Sequence, residues 1–560
     1  LLFNSLDRAA QAATVLIDKG PQLRACDLMD RRHLSLAREE DPRYELLIPQ
    51  SIEAVLLVEY GAEDSTPLLK MLHQAVDLLT GRDGLASGSH VAVDAYDRDL
   101  LRELARRFVP TLYRLRGTTR PIPLVEDVAV PPAALPEFLR RAQNVLNDQE
   151  VTASIFGHAA HGQLHIRPFL DLANSVDVRK METLASRLYE QVWDVGGSIS
   201  GEHGDGLSRT PFVAKQAGPL YKAFEELKRL FDPQGILNPG KKVFPTTHSI
   251  TANLRRFTYP LLDQFAVEGA SPGGGPPVVE LQLDWHAEEM AHAARICNGC
   301  AACRTRADTT RMCPIFHLAP REESSPRAKA NLARGILSGS LPPHAVLEDS
   351  CKQIADLCVH CHMCRIECPA NVDVPKLMQE AKASYVATNG LKFGDWALAR
   401  IDRLSAAAAR VPRLANWMLR NPAGRWALEK TLGVAQGRKL PQLARRPFLA
   451  GKTARRLRKP QRSAGEKAAL LIDTYANYFD PQLAEALVAV LEHNGIAVYV
   501  PEKQREAGMP MISQGVLDRA RRVAEINVPL MAEAVRQGYQ LVSTEPSAVL
   551  ALAHEYPQLL

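Results

Sequence analysis

Short apolar runs alternate with amphipathic stretches of helical period through the first 245 residues. Short apolar blocks favour β-strands, whereas apolar residues spaced three and four apart favour helices. Strands are predicted at residues 52–60, 90–93, 123–130 and 154–157. Helices are predicted at residues 66–79, 134–146 and 176–192. Because both kinds of element are mixed along this part, the pattern predicts an α+β domain.

The C-terminal part has a different pattern. Residues 468–473, 481–494 and 496–500 predict a strand, a helix and a strand, which together make a βα unit of a doubly wound sheet. Helical period also covers residues 347–357 and 396–437.

A Gly- and Pro-rich run at residues 271–277 predicts a hinge between modules. With the changes in pattern it divides the chain into five predicted parts. These are an α+β part at 1–245, a linker at 246–290, a mainly helical, cysteine-rich part at 291–390, a basic helical linker at 391–465 and a partial α/β domain at 466–560.

Composition is that of a folded chain without a membrane span. Of the 560 residues, 46% are hydrophobic and 23% are charged, a balance that excludes disordered and collagen-like chains. No apolar stretch reaches the ~18 residues that a spanning helix needs. The chain starts Leu1-Leu2-Phe3, without Met and without a signal peptide, so we expect a cytoplasmic piece of a longer polypeptide.

Positive charge is concentrated in one segment. The net charge is +5, yet residues 401–462 hold 16 Lys or Arg against two acids. A basic amphipathic helix containing Trp417, Met418 and Trp426 suits peripheral contact with the inner face of an anionic membrane. A helix packed on its own protein, with a solvated basic face, is the alternative. No groove-reading motif accompanies the charge, so we expect no nucleic-acid binding.

Nine of the ten cysteines lie between Cys297 and Cys368, and Cys26 stands apart from them. A disulfide scaffold would spread cysteines through a short secreted chain. The crowding therefore favours a metal centre in a reducing compartment.

The second cysteine run has the spacing of bacterial ferredoxins, and the first differs only by a longer gap before Cys313. In that pattern three thiolates hold one [4Fe–4S] cube and a fourth crosses to the other. One predicted ligand set is Cys297, Cys300, Cys303 and Cys368, and the other is Cys358, Cys361, Cys364 and Cys313. A pair of zinc sites is the alternative, although such sites usually contain CxxC pairs rather than CxxCxxC triplets. Cys351 is a spare cysteine. Two cubes that share ligand loops predict one-electron transfer.

Two short strings concentrate polar chemistry in the first part of the chain. One contains His158, His161 and His165, and the other contains Glu202 and His203 in a glycine-rich turn. Imidazoles and a carboxylate can bind a divalent metal, and a further histidine can move a proton. No GxGxxG or GxxxxGK[ST] motif opens a helix, so the sequence predicts no nucleotide phosphate loop.

These strings, together with residues 126–131 and 231–241, resemble the C-terminal half of FAD-linked oxidases of the vanillyl-alcohol-oxidase type. The resemblance is specific to the D-2-hydroxyacid dehydrogenases that act on D-lactate, glycolate or D-2-hydroxyglutarate, and it covers residues 3–244. It implies an α+β FAD-oxidase C-terminal (cap) domain, FAD, and a divalent metal (Zn, Mn or Fe). In that family the domain that binds the FAD pyrophosphate precedes this part.

By position, the resemblance implies His158, His165 and Glu202 as ligands of a metal that grips the 2-hydroxyl and carboxylate of the substrate. His203 would take the hydroxyl proton while the C2 hydride leaves for the flavin. Metal coordination lowers the pKa of the hydroxyl and so assists an imidazole base.

Two arginines are implied for the substrate carboxylate. Arg116 stands where the family has a carboxylate-binding arginine, with an ordinary surface arginine as the alternative, and Arg167 is the second candidate. The residues implied to bind the flavin cofactor are Asn238, Lys241, Gly201 and Glu202.

Val125 stands where the D-2-hydroxyglutarate enzymes have a lysine, so the sequence favours D-lactate as the substrate. The alternatives are a D-2-hydroxyglutarate dehydrogenase of the same architecture and a non-catalytic iron–sulfur electron-transfer subunit. Electrons are expected to pass from FAD through the two [4Fe–4S] clusters to a quinone, a cytochrome or an electron-transfer protein.

Residues 467–500 resemble the CCG domain of glycolate oxidase iron–sulfur subunits and heterodisulfide reductases. The place of its first Cys-Cys-Gly holds Glu506-Ala507-Gly508, and no cysteine follows Cys368. The additional cluster of that domain is therefore not expected.

Overall fold

An antiparallel sheet of seven strands is the centre of the N-terminal unit, Leu1–Thr258, in the computed structural model. The strands are β1 (Leu2–Phe3), β2 (Ala25–Asp30), β3 (Ala54–Glu59), β4 (Arg120–Pro121), β5 (Val125–Ala129), β6 (Ala153–His158) and β7 (Gln163–Leu170). Their order in the sheet is β1-β3-β2-β6-β7-β4, and β5 also pairs with β7.

The structure describes residues 1–81, 84–106, 109, 112–113, 119–172, 174–245, 250–252, 254, 281–308, 310–461 and 465–560. The described α-helices of the N-terminal unit are α1 (Leu6–Lys19), α2 (Arg31–Glu40), α3 (Pro42–Leu47), α4 (Ser65–Thr80), α5 (Ala95–Arg106), α6 (Leu135–Asp148), α7 (Ser175–Asp194), α8 (Gly206–Ala217) and α9 (Tyr221–Phe231).

Helices α1, α6 and α7 bury their apolar faces in the main core of this unit. Leu16, Phe138 and Leu188 are fully buried there. Burial of one such side chain contributes roughly 1.5–3 kcal/mol. A second apolar cluster, which includes Leu34 of α2, Leu100 of α5 and Phe169 of β7, covers part of the other face of the sheet.

The side chains of β7 alternate between the two faces of the sheet. Leu164 and Ile166 are fully buried in the core. Because side chains alternate across a strand, Gln163, His165 and Arg167 lie together on the opposite face. This face of β7 carries the candidate site.

Most of the predicted elements of the N-terminal part are present. The strands predicted at 52–60, 123–130 and 154–157 correspond to β3, β5 and β6, and the three predicted helices to α4, α6 and α7. The strand predicted at 90–93 was wrong. No strand pairs with this stretch, and His90 instead hydrogen-bonds the carbonyl of Leu47 at 2.6 Å. The short Val-Ala-Val alternation there has no sheet partner, and alternation without a partner does not make a strand.

The C-terminal unit, Tyr259–Leu560, contains a parallel three-stranded sheet and many short helices. The strands are β8 (Lys467–Leu470), β9 (Ala497–Tyr499) and β10 (Gln540–Val542), in the order β10-β8-β9. The predicted βα unit at 467–500 is confirmed by β8, a helix at Pro481–His493 and β9.

The described α-helices of this unit are α10 (Ala287–Arg295), α11 (Pro314–Leu318), α12 (Pro326–Leu337), α13 (Asp349–Asp356), α14 (Met363–Glu367), α15 (Val374–Asn389), α16 (Phe393–Leu398), α17 (Ile401–Ala408), α18 (Pro412–Arg420), α19 (Pro422–Leu432), α20 (Lys452–Arg456), α21 (Thr474–Tyr478), α22 (Pro481–His493), α23 (Met509–Ser513), α24 (Leu517–Arg536), α25 (Pro546–Leu550) and α26 (Tyr556–Leu559).

The helical period predicted at 396–437 is divided among several short helices. Pro412 and Pro422 stand at the first positions of α18 and α19, where a proline starts a helix but cannot continue the preceding one. Among the described residues, no helix is long and apolar enough to cross a membrane.

Buried polar contacts join the cysteine-rich part to the C-terminal α/β part within this unit. The carboxylate of Glu555 lies 2.7 Å from Nε2 of His362, and both side chains are buried. Lys382 donates to the carbonyl of Ser513 at 3.1 Å. The loops that carry the second cysteine triplet are therefore packed against the α/β part.

Candidate active site and cysteine cluster

Two neighbouring carboxylates reach the polar face of β7 because β5 contains a bulge. The register between β5 and β7 shifts between Val125 and Val128, so Glu126 and Asp127 lie at the irregular position. Asp127 has a left-handed backbone, with φ 61°, which is rare outside glycine. The bulge directs both carboxylates to residues of β7 and of the loop at 201–203.

The carboxylate of Asp127 is the anchor of this site. It is fully buried and accepts hydrogen bonds from the amides of Glu202 and His203 at 2.8 Å each. It also accepts from Nε2 of Gln163 at 2.9 Å and lies 3.3 Å from the guanidinium of Arg209. One carboxylate thus orders the backbone that carries two of the predicted functional side chains.

The pKa of Asp127 is well below its ordinary value. Burial alone would raise this pKa, but hydrogen bonds from Gln163 and from the amides of Glu202 and His203 outweigh burial and lower it to about 2. The carboxylate is therefore ionised across the physiological range.

Gly201 is required for the close approach of the loop to this anchor. A Cβ on Gly201 would lie 2.7 Å from Oδ1 of Asp127, closer than carbon and oxygen can approach. Gly201 was predicted to bind the cofactor; its contacts in the structure are with Asp127.

Two imidazoles are oriented by carboxylates at their Nδ1 atoms. His158, at the end of β6, has Nδ1 2.6 Å from Oδ1 of Asp27. His165 has Nδ1 2.7 Å from Oε2 of Glu126. A carboxylate bound to one ring nitrogen holds the other available as a metal ligand. The hydrogen bond to Asp27 also raises the pKa of His158.

The predicted metal ligands and the predicted base are close to one another. Oε1 of Glu202 lies 3.7 Å from Nε2 of His158 and 3.6 Å from Nε2 of His203. The rings of His165 and His203 stack with their centroids 5.2 Å apart. Among the described residues, the group whose ligand atoms all lie within 4.8 Å of one another is Glu126, His165 and His203, so His165 is the one predicted ligand in it. Imidazole nitrogens and carboxylate oxygens are the donors that Zn²⁺ and similar cations take, so the residues fit a divalent metal.

Gln163 was not predicted, yet its side-chain amide lies in the middle of this group. Its Nε2 is 3.0 Å from Nε2 of His165 and 3.2 Å from Oε1 of Glu202. The signal that would have found it is the polar alternation of β7, in which Gln163 precedes His165 by two residues. Asp27, Glu126, Asp127 and Arg209 were missed as well, because their partners are distant in sequence.

Arg167 lies on the same face of β7 and is mostly buried. Its Nε is 2.5 Å from Oε1 of Glu126, and its guanidinium lies over Phe156, 5.5 Å from the ring centroid. Glu126 therefore connects Arg167 with His165. Arg116 lies outside the described residues.

Asn238 and Lys241 lie on the segment after α9. Nζ of Lys241 donates to Oδ1 of Asn238 at 3.4 Å. The neighbouring Lys242 is bound through its amide to Thr210 at 2.9 Å and through its ammonium to Asp205 at 3.4 Å. This segment is therefore attached next to the loop that carries His203.

Val125 is fully buried in the core of the N-terminal unit. Its side chain has no access to a substrate. This position therefore offers no cation to a distal substrate carboxylate, and the preference for D-lactate stays a prediction.

The cysteines of the C-terminal unit form two adjacent groups. One cavity is lined by the first predicted set, Cys297, Cys300, Cys303 and Cys368. Cys364 also lines this cavity, and its thiol is affected by Cys358, Cys313 and Cys361 of its own set and by Cys368 of the first. The two groups are therefore adjacent, and the assignment of four cysteines to each cube stays a prediction.

The donor chemistry of these groups fits iron–sulfur clusters. Burial raises the pKa of Cys303 to about 11 and raises that of Cys364 further. Buried thiolates need cations to balance their charge, and bound iron supplies them. The amide of Arg327, at the start of α12, hydrogen-bonds the sulfur of Cys303. Amide donors of this kind are usual around cluster sulfurs.

Two parts of the chain match known families. Residues 1–242 match the FAD linked oxidases, C-terminal domain, and residues 296–373 match a 4Fe-4S dicluster domain. The resemblance drawn from the sequence, with its fold classes, FAD and [4Fe–4S] clusters, is thereby confirmed.

Three named proteins are similar to this chain. A D-2-hydroxyglutarate dehydrogenase of Pantoea ananatis is 23% identical over 612 residues, which is 100% of this chain and 58% of that protein. One of Escherichia coli K12 is 23% identical over 99% of this chain and 58% of its own length. A D-lactate dehydrogenase of Anaerostipes hadrus is 34% identical over 20% of this chain and 25% of its own length. The chain spans less than two thirds of the two longer relatives.

We expect Asp127→Asn to loosen the loop at 201–203. The substitution leaves Arg209 buried without its counter-charge, a change that typically destabilises by ~3 kcal/mol or more. Urea denaturation should report this loss, and hydrogen exchange at the amides of Glu202 and His203 should accelerate. The control is Asp148→Asn, whose exposed carboxylate pairs with Arg187 and is worth less than ~1 kcal/mol.

The dependence of the protein's stability on pH provides a second test of the role of Asp127. Because the pKa in the folded protein is below that of the unfolded chain, the stabilisation is complete above about pH 4 and is lost as the pH falls toward 2. The wild-type protein should show this loss and Asp127→Asn should not. Equal acid sensitivity of the two proteins would contradict the role of this carboxylate.

Proposed function

Because the chain carries the C-terminal domain of FAD linked oxidases and a 4Fe-4S dicluster domain, we propose that it acts as a flavin-dependent D-2-hydroxyacid dehydrogenase. The single observation that carries the proposal is the convergence of His158, Glu202 and His203, with imidazole and carboxylate atoms 3.6–3.7 Å apart. A hydroxyl group bound among them would meet both cation-binding atoms and a base.

Each side chain has a distinct role in this proposal. His158, His165 and Glu202 bind the divalent metal (Zn, Mn or Fe), and His203 accepts the proton of the 2-hydroxyl at its Nε2. Arg167, held by Glu126, is proposed to orient the substrate carboxylate. When bound, FAD would accept the hydride from C2, the metal would acidify the 2-hydroxyl, and the two clusters would carry electrons away singly.

The proposed substrate is D-2-hydroxyglutarate rather than D-lactate. The relatives that extend along this whole chain carry the name D-2-hydroxyglutarate dehydrogenase, whereas the D-lactate dehydrogenase matches one fifth of it. The proposed electron acceptor is a quinone, a cytochrome or an electron-transfer protein.

Reduction by substrate tests the activity and its specificity together. We expect D-2-hydroxyglutarate, added anaerobically to the full-length flavoprotein, to bleach the flavin and then to produce the EPR signals of reduced clusters. D-Lactate and glycolate should reduce the protein at least about tenfold more slowly, which corresponds to ~1.4 kcal/mol in the transition state.

The matched variants are His203→Ala and His161→Ala. His203→Ala should lose reduction by substrate by roughly 10²–10⁴-fold, the usual contribution of a general base. His161 is exposed and adjacent to the site in sequence, and His161→Ala should behave as wild type. Clusters that only dithionite reduces would overturn the proposal in favour of an electron-transfer subunit, and faster reduction by D-lactate would restore the smaller substrate.

Metal binding should depend on the carboxylate behind His158. Asp27→Asn removes the charge that orients and polarises this imidazole, and we expect affinity for Zn²⁺ or Mn²⁺ to fall by about 10–100-fold. The measurement is metal content and titration after chelation, with recovery of substrate reduction on adding metal back. Asp7→Asn, on the exposed start of α1, is the control. Full activity in metal-free protein would contradict the metal role.

Helix α18 is the proposed place of peripheral contact with an anionic membrane. Leu414, Trp417 and Met418 are exposed at spacings of three and four, with Arg413 and Arg420 beside them. An apolar face flanked by arginines suits the interface of an anionic bilayer. The membrane would be where a quinone acceptor is met.

Cosedimentation with lipid vesicles tests this contact. We expect binding to phosphatidylglycerol vesicles that is at least about tenfold tighter than to phosphatidylcholine and that weakens with salt. Trp417→Ser should reduce it, whereas Tyr96→Ser, an exposed aromatic of the N-terminal unit, should not. Absence of binding to either vesicle would exclude the membrane and leave a soluble acceptor.

A further inference from the structure

A lysine of the cysteine-rich part is buried without a carboxylate partner. Lys329, on α12, is 1% exposed. Its ammonium donates to the carbonyls of Ser324 at 2.6 Å and Glu323 at 3.3 Å. Among the described residues, no acidic group forms an ion pair with it. Burying an unpaired charge is costly, and such groups are normally paired or made neutral.

The surroundings of Lys329 include both groups of cysteines. The thiols that act on it electrostatically are those of Cys358, Cys313 and Cys364, which belong to the second set, and that of Cys303, which belongs to the first. Burial lowers the pKa of Lys329, and these sulfurs oppose that shift. Pro326, Arg327 and Ala330, on the same helix, line the cavity that holds the first set of cysteines and Cys364 of the second. The helix that carries Lys329 is therefore packed beside both sets.

A second buried lysine is next to the second set alone. Lys382, on α15, is 3% exposed and donates to the backbone carbonyl of Cys358 at 2.9 Å. The nearest carboxylate, that of Asp356, is 4.0 Å away and already pairs with Lys352 at 2.6 Å. The positive charge of Lys382 is thus only weakly balanced by a carboxylate.

We propose that Lys329 is the counter-charge of both iron–sulfur clusters and Lys382 that of the second cluster, and that these ammonium groups raise the cluster reduction potentials. A [4Fe–4S] cube with four thiolates has a net negative charge, which grows when the cube takes up one electron. A fixed cation close by stabilises the reduced form more than the oxidised form. The inference rests on the proposed electron-transfer function.

The cations would set how readily the clusters accept electrons. Oxidation of one substrate molecule releases two electrons, and each cube takes up one of them. In this proposal Lys329, shared by both cubes, favours uptake at both, and Lys382 adds to it at the second. The side chains act by charge and position, so a neutral residue of the same length separates charge from packing.

The test is an EPR-monitored redox titration of the full-length protein with mediators and dithionite, which requires no substrate. We compare Lys329→Met, Lys382→Met and, as the matched control, Lys376→Met. Lys376 is on the same helix as Lys382, and its electrostatic neighbours are carboxylates rather than cysteines. Iron content is measured in every variant.

In Lys329→Met we expect the ratio of reduced to oxidised cluster at a fixed potential to fall about tenfold for both clusters, equal to about 59 mV for a one-electron couple. Lys382→Met should lower the ratio for the second cluster only, and Lys376→Met for neither. Unchanged ratios in Lys329→Met with full iron content would overturn the proposal.

If Lys329→Met does not retain its clusters, Lys329→Arg tests the role of the positive charge instead. Wild-type potentials and full iron in the arginine variant support the role of the charge, whereas lost iron or lowered potentials in it overturn that role. Because dithionite supplies the electrons, a failure here is distinct from a failure of substrate reduction, which would concern the proposed dehydrogenase activity.

Discussion

The candidate active site depends on one buried carboxylate, that of Asp127. An ionised group in a core is stable only where donors surround it, and here two loop amides, the amide of Gln163 and the guanidinium of Arg209 do so. These same donors belong to the residues that carry or orient the reactive side chains. The cost of leaving that carboxylate unsatisfied therefore holds the loop of Glu202 and His203 against β7.

The bulge in β5 allows Glu126 and Asp127 to bind their partners at the same time. In a regular strand Glu126 and Asp127 would point to opposite faces. At the bulge Glu126 binds His165 and Arg167 while Asp127 binds Gln163 and the loop. Bulges are common beside active sites because they re-aim side chains in this way. The left-handed backbone of Asp127 is the local cost, of order 1–3 kcal/mol.

In the cysteine-rich part, buried cations lie beside the thiols. The backbone carbonyls of Ser324 and Cys358 bind the ammonium groups of Lys329 and Lys382. The contact between Glu555 and His362 ties the second triplet to the α/β part. The α/β part, which contains no cysteine, thus still shapes the environment of the second set.

The residue types and spacings along the chain identified the candidate reactive groups. Three motifs could be recognised: the cysteine triplets, the histidines of 158–165 and the Glu202-His203 pair. The residues of each motif are close in sequence, so the motif is visible without a structure. The strands and helices at β3, β5, α6 and α7 followed from their apolar period. The strand expected at 90–93 failed because pairing, and not alternation, makes a strand.

Only the tertiary structure decided which distant residues serve those motifs. Asp27 binds His158 across 131 positions of sequence, and the carbonyl of Cys358 accepts a hydrogen bond from Lys382 across 24 positions. Sheet register, a bulge and helix packing bring these residues together. No periodic pattern in the sequence indicates any of the three. Val125 is a further example, because only the fold shows that its side chain faces the core. Sequence determined the reactive groups, and the packing of remote segments determined their charge and orientation.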